Sequence, residues 1–435
     1  MKNVNLFNGD EINQRTILGH PSGLFTLFFT EMWERFSYYG MRAILVLFLI
    51  SSLDNQGWGW ERKDALVLYA WYTGLVYITP IFGGLLADKF LGYRKAVVLG
   101  ALLMTLGHAA MALEVFYDFY LYVGLSLLIL GNGFFKPNIS SIVGQMYKDD
   151  GKIKDAAYTI FYMGINSGAF LGILLCGYIG ETVNWHYGFG LAGIFMFFGM
   201  LQFHFGQKIF GDIGLSVSER NEDEIKVKEV NKISQKIVTD RLVVIGIFSF
   251  VTIFFWWGFE QAGGSMTIFA NDYTNRDLAG TGALIFKIIN SLLTIVPMVI
   301  LTIILYLLFK NTFEKYAISN IFLATSFVII WVIVIWMLSR EFLKDSTEVP
   351  ASWFAILNSF FIIVFAPVLS KIWQSKYNPS GPIKFGIGLM LLSRQWSVFF
   401  LPTIFFFWVI NQTPSKNKRK MFYMLFISGL MGLMI

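Results

Sequence analysis

Eleven mostly apolar stretches, each at least 20 residues long, follow one another along this chain: 22–50, 64–88, 95–115, 119–143, 156–180, 187–207, 241–271, 283–309, 318–338, 351–374 and 384–410. A helix of roughly 20 apolar residues crosses the hydrocarbon core of a bilayer. Lipid offers the backbone no hydrogen-bond partner, so stretches of this kind must satisfy themselves as helices. The pattern predicts an all-α polytopic membrane protein. Composition agrees, because only 14% of residues are charged and 56% are hydrophobic, against about 25% charged in a soluble domain. A short apolar tail, 421–435, follows the last span.

Lys and Arg outnumber Asp and Glu, 34 to 28. The excess sits in short loops, as positive-inside topology requires, and does not point to nucleic acid. The single cysteine, Cys176, lies in an apolar span, which excludes disulfides and cysteine metal sites. Residues 1–19 are polar and of mixed charge, so no cleavable signal peptide is expected and the first span directs insertion.

The one long polar segment, 206–241, contains SERNEDEIKVKEVNKISQK and has the composition of a solvated linker. Six spans before such a linker predict a major facilitator fold of two helical bundles. The expected division is a six-helix bundle over 1–207, a cytoplasmic linker over 208–240 and a second bundle over 241–435. With the N-terminus cytoplasmic, Lys89, Arg94, Lys95, Lys148, Lys152 and Lys154 fall inside, while Asp54, Glu61, Glu114, Asp118 and Glu181 fall outside, together with Arg62 and Lys63. In the second half, 283–338 reads as an inserted, almost wholly apolar helix pair at the periphery. Residues 394–435 are atypical: Arg394 interrupts a span, and SKNKRK at 415–420 would fall outside.

Charges lie inside the first span. TEMWERFSYYG, Thr30–Gly40, carries Glu31, Glu34 and Arg35, and Arg42 follows. Each would cost about 2.5–3.5 kcal/mol at the bilayer centre, so such residues mark function by default. Residues 31, 35, 38 and 42 recur at helical spacing, giving one stripe of Glu, Arg, Tyr and Arg about 16 Å long at 1.5 Å per residue. That stripe is untenable against lipid and must face a polar cavity. Static ion pairs between helices are the alternative, but these rarely need four charges and two phenols, Tyr38 and Tyr39.

Lys136, in GNGFFKPNISSIVGQMY (131–147), can neutralise Glu31 or Glu34 by approach, and protonating the acid would release it. Glu260, in FFWWGFEQAGGSMTIF (254–269), is the natural partner for Arg42 across the two bundles, as a gate or as a permanent bridge. GGLLADKFLGYRK (83–95) places Asp88 at a helix end with Arg94 and Lys95 beyond a glycine turn; it resembles the major facilitator loop pattern G-x-x-x-D-x-x-x-G-x-R-K, which implies a conformational latch rather than substrate contact. FYMGINSGAFLG (161–172) supplies Tyr162 and Asn166 one turn apart, and Tyr77 and Trp256 add polar-tipped aromatics.

These motifs together resemble the proton-dependent oligopeptide transporters. Thr30–Gly40 is similar to that family's ExxERFxYYG signature, and GNGFFKPNIS, FYMGINSGAF and FEQAGGS follow in the family's order over 1–275, resuming at 349–367. The resemblance implies proton-driven symport of di- and tripeptides across the inner (cell) membrane by a monomer, with the gradient as driving force and no cofactor. It implies that Glu31, Glu34, Arg35 and Lys136 couple protons, with Glu260 a protonatable gate. Arg35, Arg42 and Lys136 would face the peptide carboxylate. Tyr38, Tyr39, Tyr77, Tyr162 and Trp256 would line side-chain pockets, and Asn166 and Asn358 would bond the peptide backbone or amino end. Two departures stand out: FAILNS replaces FQSLNP, keeping only Asn358, and no later GEL…SP motif is found. The second bundle is therefore expected to be incomplete, with a truncated or altered C-terminus. Transport of another small zwitterion or organic anion, or a transport-defective sensor or scaffold, are the competing readings. No HExxH or G-x-S-x-G motif lies in a span, so an enzyme is not expected.

Overall fold

The computed structural model describes residues 7–147, 152–216 and 235–374, with Pro379, Ile383 and Lys384. The expectations for 384–410, Arg394, 415–420 and 421–435, and those for most of the linker, lie outside these residues. The first half forms six helices: α1 Ser22–Ile50, α2 Arg62–Leu86, α3 Tyr93–Ala112, α4 Phe119–Gln145, α5 Lys152–Thr182 and α6 Trp185–Gly206. The second contributes α7 Gln235–Phe259, α8 Ser265–Tyr273, α9 Gly280–Thr312, α10 Ala317–Phe342 and α11 Ile356–Gln374.

Seven of the described helices are long and apolar enough to span a membrane. α1 is not among them, because every 18-residue stretch of it holds at least three of Glu31, Glu34, Arg35 and Arg42. Its survival in lipid depends on burial. Residues 22–38 are all buried, with α5 and α6 packed round them and Phe327 of α10 against Phe29 and Trp33.

Close backbone contact makes that burial possible. A Cβ on Gly168 or Gly172 of α5 would lie 2.1 Å from the Met32 carbonyl or 2.2 Å from the Phe36 carbonyl. Small residues at such spacing let helices approach to backbone contact, where lipid supplies no hydrophobic drive. At the other end of α2, Gly92 adopts φ +72°, a left-handed conformation open to glycine, and turns the chain into α3.

One expected span is in fact broken. The stretch 241–271 divides into α7 and α8 around a 3₁₀ turn, Glu260–Gly263, with Gly264 at the joint. The stretch 351–374 likewise begins as a 3₁₀ turn, Ala351–Ala355, before α11.

Helices α9 and α10 fill the position of the expected apolar pair and pack on the first half. Phe327 of α10 meets Phe29 and Trp33 of α1 at ring distances of 5.5 and 5.6 Å. We call the end where α1 begins proximal and the end where it finishes distal. Proximally, Lys315 pairs with Asp10 at 3.0 Å and Arg15 with Glu314 at 3.4 Å. Distally, the Tyr178 hydroxyl donates to Glu341 at 2.5 Å. A two-residue antiparallel pairing, β1 Asp277–Leu278 with β2 Thr347–Glu348, closes the base of the pair.

Candidate functional site

The charged stripe of α1 folds back on itself. Arg35 Nε donates to Glu31 Oε1 at 2.7 Å, while Glu34 Oε2 lies 2.8 Å from the same nitrogen. The Nε–H points at Glu31, so Glu34 Oε2 is held by charge without a hydrogen bond. Its other oxygen accepts from Asn132 Nδ2 at 3.1 Å. All three charged groups are buried, so two carboxylates share a single guanidinium out of contact with solvent.

Lys136 takes a different position from the expected one. Its ammonium stands 4.6 Å from the centre of the Tyr77 ring, and among the described residues it pairs with neither glutamate. Cation–π contact of this kind contributes about 0.5–2 kcal/mol, less than a buried ion pair would lose on breaking. The lysine thus rests on an aromatic face beside the cavity, within the field of Glu34, Glu31 and Glu260 but in no ion pair with them.

Glu260 meets Arg42 across the halves at 2.9 Å. The break after α7 turns its carboxylate inward, where it also accepts from the Tyr69 hydroxyl at 3.4 Å and the Tyr77 hydroxyl at 3.3 Å. Gly263, one turn on, is needed for this approach: a Cβ there would lie 2.2 Å from the Tyr69 hydroxyl.

Between these clusters lies a cavity of about 230 Å³. Arg35, Arg42 and Lys136 supply three cations to its wall, and Tyr39, Tyr77, Tyr162, Asn166, Trp256 and Asn358 line it. Tyr38 is a correction. It is buried behind the wall, its ring stacked 6.3 Å from Tyr72, because successive residues of a helix point about 100° apart and Tyr39 takes the cavity side. Glu31 and Glu34 are likewise buried off the wall, paired with Arg35, which is on it. Sequence reasoning missed Tyr69, Asn132 and Ser359. Tyr69 stands two turns before Tyr77 on α2, a spacing that offered a signal; Ser359 offered none.

The distal side of the cavity is closed by ties between the halves. Arg62 pairs with Asp272 at 2.7 Å, and Glu181 accepts from the amides of Ala351 and Ser352 at 2.6 and 2.9 Å. At the proximal end, Asp88 is exposed, while Arg94 donates to the carbonyls of Ile213 (2.6 Å) and Gly211. The arginine expected in a latch with Asp88 thus grips the segment after α6.

The POT family model matches residues 94–221. The di-/tripeptide transporter of Lactococcus lactis subsp. cremoris is 33% identical over 442 residues, covering 96% of this chain and 82% of that protein. The chain belongs to the POT family. The peptide transporter YePEPT of Yersinia enterocolitica is 30% identical over 88% of this POT protein and 74% of its own length. Among solved structures, the peptide transporter POT in complex with sulfate is 29% identical, with a TM-score of 0.53 over 97% of this chain and 88% of that one. A POT family transporter in complex with 5-aminolevulinic acid, 23% identical over 96% of this chain and 90% of that one, shares the fold at a TM-score of 0.59. This POT protein is an all-α, multi-pass membrane transporter of the major facilitator fold.

Proposed function

We propose that this chain is a proton-coupled symporter of di- and tripeptides that works by alternating access. The observation that carries the reading is the cavity itself: three cations on its wall, two carboxylates sharing one of them underneath, and a third carboxylate closing it against Arg42. A peptide zwitterion of variable side chain needs fixed charge at its ends and adaptable aromatic walls between, and this wall has both. The relatives named as peptide transporters support the same substrate class.

The coupling follows from charge balance. Glu31, Glu34 and Glu260 match Arg35, Arg42 and Lys136 in number, so the site balances to zero when all six are charged. A peptide carboxylate arriving at Arg35 or Lys136 competes for cations that hold the acids ionised, and a proton on Glu34 or Glu31 relieves the excess negative charge. Breaking the Arg42–Glu260 pair would free the distal ties to open, so Glu260 acts as the gate. Asn166 and Asn358 bond the peptide backbone or amino end, and Arg94 steadies the proximal end beside Asp88 and Lys95. The N-terminus is cytoplasmic, the protein sits as a monomer in the cell (inner) membrane, and the gradient replaces any cofactor.

Uptake of a labelled dipeptide into proteoliposomes, with and without an inward proton gradient, tests the reading. Accumulation above equilibrium only with the gradient is expected. Uptake indifferent to the gradient would refute coupling.

A further inference from the structure

Asn132 has a direct hold on the buried charges that the motifs around it do not explain. It stands between two glycines that lock its helix in rotation. A Cβ on Gly131 would lie 2.6 Å from Met104 Cγ and 2.7 Å from the Gly100 carbonyl of α3, and a Cβ on Gly133 would lie 2.8 Å from Thr79 Cβ of α2. With α3 on one side and α2 on the other, α4 turns its remaining face to α1, and Asn132 stands on it one turn before Lys136, 1% exposed. Its Nδ2 donates to Glu34 Oε1 at 3.1 Å, while its Oδ1 is buried with no hydrogen-bond partner.

A buried acceptor left unmet is costly and calls for a reason. An amide carries donor and acceptor in one plane, and a half-turn about χ2 exchanges them. Facing ionised Glu34, the NH₂ donates to the carboxylate. Facing protonated Glu34, the Oδ1 accepts from the acid O–H. The orphan oxygen is then the half of the amide kept for the other protonation state. We propose that Asn132 is the positioning residue that holds Glu34 in both protonation states, and thereby sets the pH at which the transporter loads its proton. The inference rests on the reading of Glu34 as a proton carrier.

Other groups act on Glu34: Arg35 and Glu31 from its own helix, Lys136 from α4, and at longer range Tyr39 and Tyr72. Among the described residues, Asn132 is the uncharged side chain hydrogen-bonded to the Glu34 carboxylate, and it carries both a donor and an acceptor. A hydrogen bond to an ionised group is about twice as strong as one between neutral groups, so losing the amide weakens the ionised form more than the protonated one.

The test is membrane-potential-driven dipeptide uptake in proteoliposomes, with equal pH on both sides, each variant scaled to its own maximum. Asn132→Leu should move the pH at half-maximal uptake upward by roughly half to one unit, a three- to tenfold change in proton concentration. Asn132→Asp, nearly isosteric, should move it further in the same direction, because it removes the NH₂ and adds negative charge. If Asn132→Leu fails to fold, Asn132→Asp alone decides. Curves that superimpose on the wild type, or maxima that fall without a shift in midpoint, would overturn the inference and leave proton coupling standing. A wild-type protein indifferent to both pH and gradient would overturn both.

Discussion

The contact between α1 and α5 is close enough for one methyl group to matter. Gly168→Ala would place a Cβ 2.1 Å from the Met32 carbonyl oxygen, and Gly172→Ala one 2.2 Å from that of Phe36, where ordinary contact is 3.4–4 Å. Neither obstacle is a flexible side chain, so the helices themselves must part by about 1 Å, a gap that forfeits a quarter to a half of the dispersion energy along the seam. Overpacking of this kind costs roughly 1–3 kcal/mol per site, or about a 5- to 150-fold fall in the folded-to-unfolded ratio. The displacement also carries Tyr162 and Asn166 away from Arg35 and Arg42, because all four line one cavity. Gly74→Ala is the control: nothing lies within 4 Å of its Cβ position, and alanine favours a helix by about 0.5–1 kcal/mol over glycine. Thermal unfolding followed by tryptophan fluorescence in detergent should therefore show Gly168→Ala and Gly172→Ala melting below the wild type and Gly74→Ala at or above it. Dipeptide uptake should fall in the first two only. Wild-type melting and uptake in both α5 variants would refute the close-packing account of how α1 keeps its charges in lipid.

Lys136→Ala should abolish gradient-driven uptake while the folded protein persists, since the ammonium rests on Tyr77 and supports no described ion pair; uptake at wild-type rate would exclude a coupling role. Glu260→Gln removes the carboxylate held by Arg42, Tyr69 and Tyr77, and leaving a buried guanidinium unpaired costs about 3–5 kcal/mol. The distal ties should then open more readily, read as wider spin-label distances between α2 and α8; unchanged distances would mean that the pair is a static bridge. Because α10 is tied to the first half at both ends, by Ser319 donating to the Gln202 carbonyl and by Glu341 accepting from Tyr178, labels on α6 and α10 should keep their separation when peptide and protons are added, while labels on α6 and α11 change theirs. Equal changes in both pairs would contradict it.

Much of this architecture is legible in the sequence, because lipid leaves few choices. The apolar run of α1 predicts 22–50 and the helix is Ser22–Ile50; the other first-half spans differ by a few residues at their ends, where loops and membrane surface grade into each other. The break at Glu260–Gly263 was hidden by the continuous apolar run on both sides of it, although the Gly263–Gly264 pair was its trace. The Glu31–Arg35 and Arg42–Glu260 pairs follow from spacing and from the scarcity of charge. Spacing alone could not place Lys136, which had both an aromatic ring and two acids within its reach. Asn132 was overlooked for another reason: a lone asparagine in a helix carries little signal until the glycines on either side are seen to fix its direction.

The most direct test of the coupled site is peptide-driven proton entry. Proteoliposomes holding a trapped pH dye receive unlabelled dipeptide from outside, and the lumen pH is followed in wild type and Glu34→Gln. Wild type should acidify the lumen as peptide enters, and Glu34→Gln should not. No acidification in an active wild-type protein, or the same acidification without the Glu34 carboxylate, would contradict the account.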